Sequence, residues 1–222
     1  MNLLKSCFLS AALLAGVLTL SAQAPSPAAP SAPAKARAPR GRASPHETFS
    51  TVLGDPHAGN RVVIVYGRPY AKDPKTGEER KIWGGLVGGT ANPWDKPWRM
   101  GSDEATVLLT TASLKFGDLT LSPGAYSLYM LPRETGASQL IINRKVGQWG
   151  IAGETKQGDI MVNLTYPDSM KDTEVGRVDM TKDELPSQVE EFTMRIARTP
   201  DGGVLQLEWE TTRFSVPFSL VK

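Results

Sequence analysis

Apolar and polar residues alternate with a period of two along most of the chain from Thr48 onward. Phe192, Met194 and Ile196 alternate with Glu191, Thr193 and Arg195; Leu205, Leu207 and Trp209 alternate with Gln206, Glu208 and Glu210. Phe214, Val216, Phe218 and Leu220 repeat the pattern, as do Val162, Leu164 and Tyr166. Side chains on a strand point to opposite faces in turn, so this is the signature of antiparallel strands with one wet face. Val62 to Tyr66 is apolar on both parities, as a central strand is. Further strands are expected at 48–53, 105–111, 125–131, 138–143 and 174–180. Turn residues separate these runs: Asp73-Pro74-Lys75-Thr76-Gly77, Ser122-Pro123-Gly124 and Pro200-Asp201-Gly202-Gly203. About ten short strands at this spacing predict an all-β fold, an antiparallel β-sandwich of jelly-roll or Ig-like kind. Beyond the first residues no window carries a helical period. Thr181-Lys182-Asp183-Glu184 has the form of a capping box, but Pro186 limits it to one turn of helix.

The first 45 residues follow other rules. Met1 to Ala24 has the three parts of a secretory signal: Lys5, an apolar run from Phe8 to Leu20, and the small-residue site Ala22-Gln23-Ala24. Pro25 follows that site and disfavours a cut there. Residues 25–45 hold six prolines among Ala, Ser, Lys and Arg. Such a segment has too little apolar surface to offset the entropy of ordering, so a disordered tether is expected. One domain is expected over 46–222, in a protein that is exported, periplasmic or secreted.

Charge sharpens this division. Lys5, Lys35, Arg37, Arg40 and Arg42 are the only charges in residues 1–45, so 20 basic and 23 acidic residues remain and the domain carries −3. That balance argues against a nucleic-acid partner, since no cationic excess is left to neutralise phosphates. A weak contact of Lys35, Arg37, Arg40 and Arg42 with an anionic envelope surface is the one membrane interaction the sequence suggests, and a solvated spacer is the plainer reading. The lone cysteine, Cys7, lies in the leader, so the exported part has no disulfide, thiolate metal site or cysteine nucleophile. His46 and His57 are the only histidines, too few for a three-histidine zinc site. No motif of serine hydrolases, zinc proteases, EF-hands or phosphate loops occurs, and neither cofactor nor metal is expected. His46, at the domain edge, reads as a hydrogen-bonded residue fixing the first strand, with a ligand or base role as the alternative.

Residues 66–104 concentrate the remaining chemistry. Three of the five tryptophans, Trp83, Trp94 and Trp98, fall within sixteen residues, beside Arg68, Tyr70, Arg99 and Glu104 and between glycines and prolines. Aromatic faces next to guanidinium and carboxylate groups suit a glycan or peptide, through stacking and paired hydrogen bonds. These seven residues are the candidate ligand site. The plainer reading makes the tryptophans plugs over one end of the sandwich. Asp103 and Glu104 are adjacent and would face opposite ways on a strand, a poor pair for glycoside hydrolysis.

Six strings also carry a likeness. Ser-Pro-His-Glu-Thr at 44–48, Tyr-Gly-Arg-Pro-Tyr at 66–70, Lys-Ile-Trp-Gly-Gly-Leu-Val at 81–87, Trp-Arg-Met-Gly-Ser-Asp-Glu-Ala-Thr at 98–106, Pro-Gly-Ala-Tyr-Ser-Leu-Tyr at 123–129 and Leu-Glu-Trp-Glu at 207–210 resemble the bacterial domain of unknown function 2911 family over 44–218. The resemblance implies an envelope or secreted protein with a β-rich fold and supplies no reaction or catalytic residue. It breaks at Gly88 to Asn92, where the family pattern implies fewer residues. The leading expectation is a non-catalytic envelope or extracellular binding module for a glycan, peptide or protein. The alternatives are a hydrolase using Glu104 or Asp103 with Arg68 or Arg99, partnered by His or by Glu47, Asp73, Glu208 or Glu210, and a purely structural envelope subunit.

Overall fold

The computed structural model describes residues 44–84, 86–87, 90–91, 94–149, 154–157, 160–163, 166 and 168–221. The leader, nearly all of the tether, the glycines at 85, 88 and 89, Asn92, Pro93, Leu164 and Thr165 lie outside them. The strands are β1 (His46–Val52), β2 (Arg61–Gly67), β3 (Leu86–Val87), β4 (Thr90–Ala91), β5 (Thr106–Thr110), β6 (Leu114–Phe116), β7 (Leu119–Leu121), β8 (Gly124–Leu131), β9 (Ser138–Asn143), β10 (Glu154–Gln157), β11 (Ile160–Asn163), β12 (Glu174–Thr199) and β13 (Gly202–Leu220). Two short 3₁₀ turns, Pro56–Ala58 and Asp168–Thr173, are the only helical pieces among the described residues.

Nine strands form one antiparallel sheet in the order β1-β2-β5-β8-β9-β12-β13-β6-β7, and β3-β4 and β10-β11 form two small ribbons. The fold is all-β and sandwich-like, and the sheet does not close into a barrel. The long strand β12 belongs to both halves of the sheet. It pairs with β9 from Glu174 to Met180 and with β13 from Thr181 to Thr199. The capping box at Thr181 to Glu184 therefore forms strand, not helix: each of its residues has a partner on β13 between Thr212 and Ser215. Cross-strand pairing overrides the local helix signal here. Pro186 falls where the register shifts between Glu184 and Val189, a bulge that tolerates a residue with no N–H to give. The alternating runs at 205–209 and 214–220 belong to the single strand β13, with Glu210 in a left-handed conformation between them, φ 52°.

One core joins both halves, with Val62, Ile64, Leu108, Leu128 and Ile142 meeting Phe192, Met194, Leu207, Trp209 and Phe214. Its centre is a chain of rings. Trp209 stacks on Trp98 with centroids 5.6 Å apart, and Trp83 meets Trp98, Trp209 and Phe214 edge-on at 5.8, 6.2 and 5.1 Å. Phe192 continues the chain from Trp98 to Tyr66, and Tyr66 to Phe49. Strand β8 buries both its faces. Tyr126, Leu128 and Met130 enter this core, while Tyr129 and Leu131 join Ala105, Ile141 and Met170 in a second cluster on the opposite side. Ala105, at the end of the segment that follows Trp98, belongs to this second cluster.

Trp209 is buried against three other aromatic rings, Trp83, Trp98 and Phe192, so Trp209→Ala leaves a cavity that those rings cannot fill. The substitution is expected to lower unfolding stability by about 3–5 kcal/mol, measured by denaturant titration.

Candidate functional site

Main-chain pairing carries Trp98 into the sheet, and the chain then turns outward. Trp98 exchanges two backbone hydrogen bonds with Met130 of β8, at 2.7 and 2.8 Å. Thr106 closes the loop that follows: its N–H donates to Arg99 O and its hydroxyl to Met100 O at 2.6 Å. Within this closure Met100 and Asp103 have φ of 55° and 62°, left-handed conformations that side-chain-bearing residues adopt only under constraint. Ser102 lies so close to Gly67 that a Cβ there would overlap its backbone.

The turn at Asp103 breaks the strand alternation that would separate it from Glu104. Both carboxylates approach one imidazole, contrary to the expectation that they face opposite ways. His46 Nε2 donates to Asp103 Oδ2 at 2.9 Å, and Glu104 Oε2 lies 3.9 Å from His46 Nδ1. The imidazole and the Asp103 carboxylate are about one-fifth exposed and Glu104 one-third, so the group is held yet reachable from solvent. Behind it, burial draws the Arg99 guanidinium below its ordinary range, against the charges of Asp103 and Tyr129. Burial pushes the Tyr129 hydroxyl up to about 12, while its bond with Ser127 and the charge of Arg99 oppose that rise.

A second polar network lies at the neighbouring strand ends. Arg68 reaches Glu47 and Glu191, each at 3.1 Å, and donates to Phe192 O and Thr193 Oγ1. Tyr66 donates to Glu47 Oε2 at 3.0 Å and accepts from Met194 N–H. These bonds fasten β1 and β2 to β12. Tyr70 forms a bridge with Glu191, and its carbonyl accepts from Arg80. The other carboxylates considered from sequence are elsewhere. Glu208 is buried between Arg195 and Arg213, Asp73 caps its own turn, and burial with the Glu79 charge raises Glu210.

The seven sequence candidates thus fall in three places. Arg68 and Tyr70 belong to the strand-end network. Trp83 and Trp98 are 9 % and 4 % exposed inside the aromatic core, and half-buried Trp94 packs on its flank with Lys182 Nζ 5.9 Å from its ring. Arg99 and Glu104 belong to the His46 constellation. Among the described residues no group of three or more His, Cys, Asp or Glu side chains is placed to hold a metal ion.

Sequence reasoning passed over the loop 144–149. Glu104 forms an antiparallel bridge with Trp149, and Ala105 N–H donates to Gln148 O at 3.0 Å. Trp149 is 53 % exposed. Asn143, fully buried, fixes the loop's start. Its Nδ2 donates to Tyr166 Oη and Met170 O, and its Oδ1 accepts from Lys145 N–H and the Thr173 hydroxyl. All four hydrogen-bonding positions of the amide are filled. An isolated tryptophan in a stretch without alternation gave no pattern by which to find it.

The strands define an all-β protein built around an aromatic core. The chain belongs to the family described as protein of unknown function (DUF2911), which matches residues 44–218. No curated protein matches it, and no solved structure matches it.

Tyr66 is also pushed up to about 12, chiefly by burial and further by Glu47, against the Met194 bond and Arg68. Tyr66 and Tyr129 therefore favour the neutral phenol in the folded chain, whereas an unfolded tyrosine ionises near 10. Their contribution to stability is complete below pH 10 and is lost as pH rises toward 12. Denaturant unfolding at a series of alkaline pH values is expected to show this fall, with a shallower slope in Tyr66→Phe.

Proposed function

We propose that the protein is an exported, non-catalytic binding module, periplasmic or secreted, whose ligand contacts His46, Asp103 and Glu104 with Arg99 behind them. The leader and tether of the sequence support export, and Lys35, Arg37, Arg40 and Arg42 add a weak contact with an anionic envelope surface. The observation that carries the binding reading is the 99–105 loop. Two side-chain-bearing residues are held left-handed there, and the result is a pair of carboxylates around one solvent-accessible imidazole. Strain of this kind is retained where surrounding structure over-determines it, and such places are commonly ligand sites. Trp83 and Trp98 serve the site by anchoring the loop rather than by offering ring faces. The ligand is a glycan, a peptide or an envelope protein.

A carboxylate-dependent hydrolase is the second reading, favoured by the His46–Asp103 bond. A base oriented by a carboxylate is the arrangement general acid–base chemistry needs. Time-dependent release of product from a panel of glycosides and esters, lost in His46→Ala, would decide for it.

The binding reading is tested on the full-length chain by acrylamide quenching of tryptophan emission with a panel of glycans and peptides. One ligand class is expected to protect the emission. His46→Ala and Asp103→Asn are each expected to remove that protection while lowering stability by only about 1 kcal/mol, as the loss of a partly exposed charged hydrogen bond does. Protection by no ligand, or protection unchanged in both variants, overturns the reading.

A further inference from the structure

The site includes a surface that its charged groups alone do not explain. Trp149 is the most exposed of the five tryptophans. Its backbone bridges that of Glu104. Opposed residues of an antiparallel pair place their side chains on the same face, with Cβ atoms roughly 4.5–5.5 Å apart. Trp149 and Glu104 therefore share one face of the pair, and beyond Glu104 come His46, 3.9 Å from its carboxylate, and Asp103, 2.9 Å from His46. An exposed aromatic face thus runs into a row of hydrogen-bonding groups. The row is also built in advance. Asn143 fixes the loop start, Ser127 Oγ donates to Lys145 O at 2.7 Å, and Ala105 donates to Gln148 O. A loop already ordered loses little entropy on binding. Next to Trp149, the amide oxygen and nitrogen of Gln148 are both inaccessible to solvent and without a hydrogen-bond partner among the described residues.

We propose that Trp149, Glu104, His46 and Asp103 form a saccharide subsite, in which the C–H face of a neutral pyranose stacks on the indole and neighbouring hydroxyls donate to the two carboxylates. The proposal rests on the binding reading above and names its ligand class. A pyranose has the required duality, an apolar face of C–H groups with donor hydroxyls around its rim. A peptide would need pockets for its side chains, and the row offers a flat ring and acceptors instead. Asp103 and Glu104 also set a specificity: they repel uronic acids and other anionic sugars, so neutral oligosaccharides are the preferred class.

The test uses the ¹⁵N-labelled full-length chain and two reporters in one spectrum, the Trp149 indole N–H and the His46 imidazole, assigned with Trp149→Phe and His46→Gln. The probes are neutral gluco-, manno- and chito-oligosaccharides, an oligouronate, and short peptides. A neutral oligosaccharide is expected to shift both reporters, the oligouronate to shift neither, and Trp149→Ala to weaken saccharide binding about tenfold with Trp149→Phe intermediate. If a peptide shifts His46 while no saccharide moves Trp149, the saccharide subsite is overturned and the binding reading stands. If none of these probes moves either reporter, both are overturned.

Discussion

The placement of everything chemical in this protein depends on the packing of aromatic rings between the two halves of the sheet. Among the described residues of 68–105 the strands are only two residues long, so hydrogen-bonded ladders do little to position that segment. Trp83 and Trp98 do that work by entering the core against Trp209, Phe192 and Phe214. Burying a ring of this size removes roughly 150–250 Å² from water, worth roughly 4–6 kcal/mol at roughly 25 cal/mol per Å². A half-exposed ion pair contributes about 1 kcal/mol or less. The rings, then, hold the segment, and the Arg68 network trims its orientation at the strand ends.

The loop after Trp98 shows how that rigidity is used. Its two ends are fixed by the Trp98–Met130 pairing and by the Thr106 hydroxyl on Met100 O. Between those anchors the backbone accepts two left-handed residues, each disfavoured on its own. The return is that neighbours in sequence, Asp103 and Glu104, flank opposite nitrogens of one ring. Burial lowers the Arg99 guanidinium below its ordinary range, and the charges of Asp103 and Tyr129 oppose that fall.

Most of the strand content was legible because a period of two is a direct image of a half-buried pleat. The runs at Phe192, Leu205 and Phe214 lie on β12 and β13 for that reason. The hairpin of β6 and β7 was missed because each of its strands is three residues long, too short to show a period. Thr181 to Glu184 misled because a helix cap is a local signal and strand pairing is a distant one. The candidate site was legible only in part. Composition pointed to the segment that holds Arg99 and Glu104, but it could not separate tryptophans that plug a core from tryptophans that face water. It also could not bring His46 to Asp103 across 57 residues, or foresee that a left-handed Asp103 would defeat the alternation rule. Trp149 reaches Glu104 by a backbone bridge between distant loops, a contact with no trace in local sequence.

The shape of the 144–149 loop hangs on one carbon–nitrogen bond. Asn143 works as a hub because its amide presents two donors on one side and two acceptor positions on the other. Asparagine is among the thermolabile residues, and hydrolysis of its amide would replace the donating nitrogen by oxygen. Met170 O would then meet another acceptor, and so would Tyr166 Oη, whose own hydrogen is already given to Glu174. Two attractions would become two repulsions without any change of side-chain shape. Complete burial keeps water from that amide, so the packing that makes the hub necessary also sets the chemical lifetime of the loop it supports.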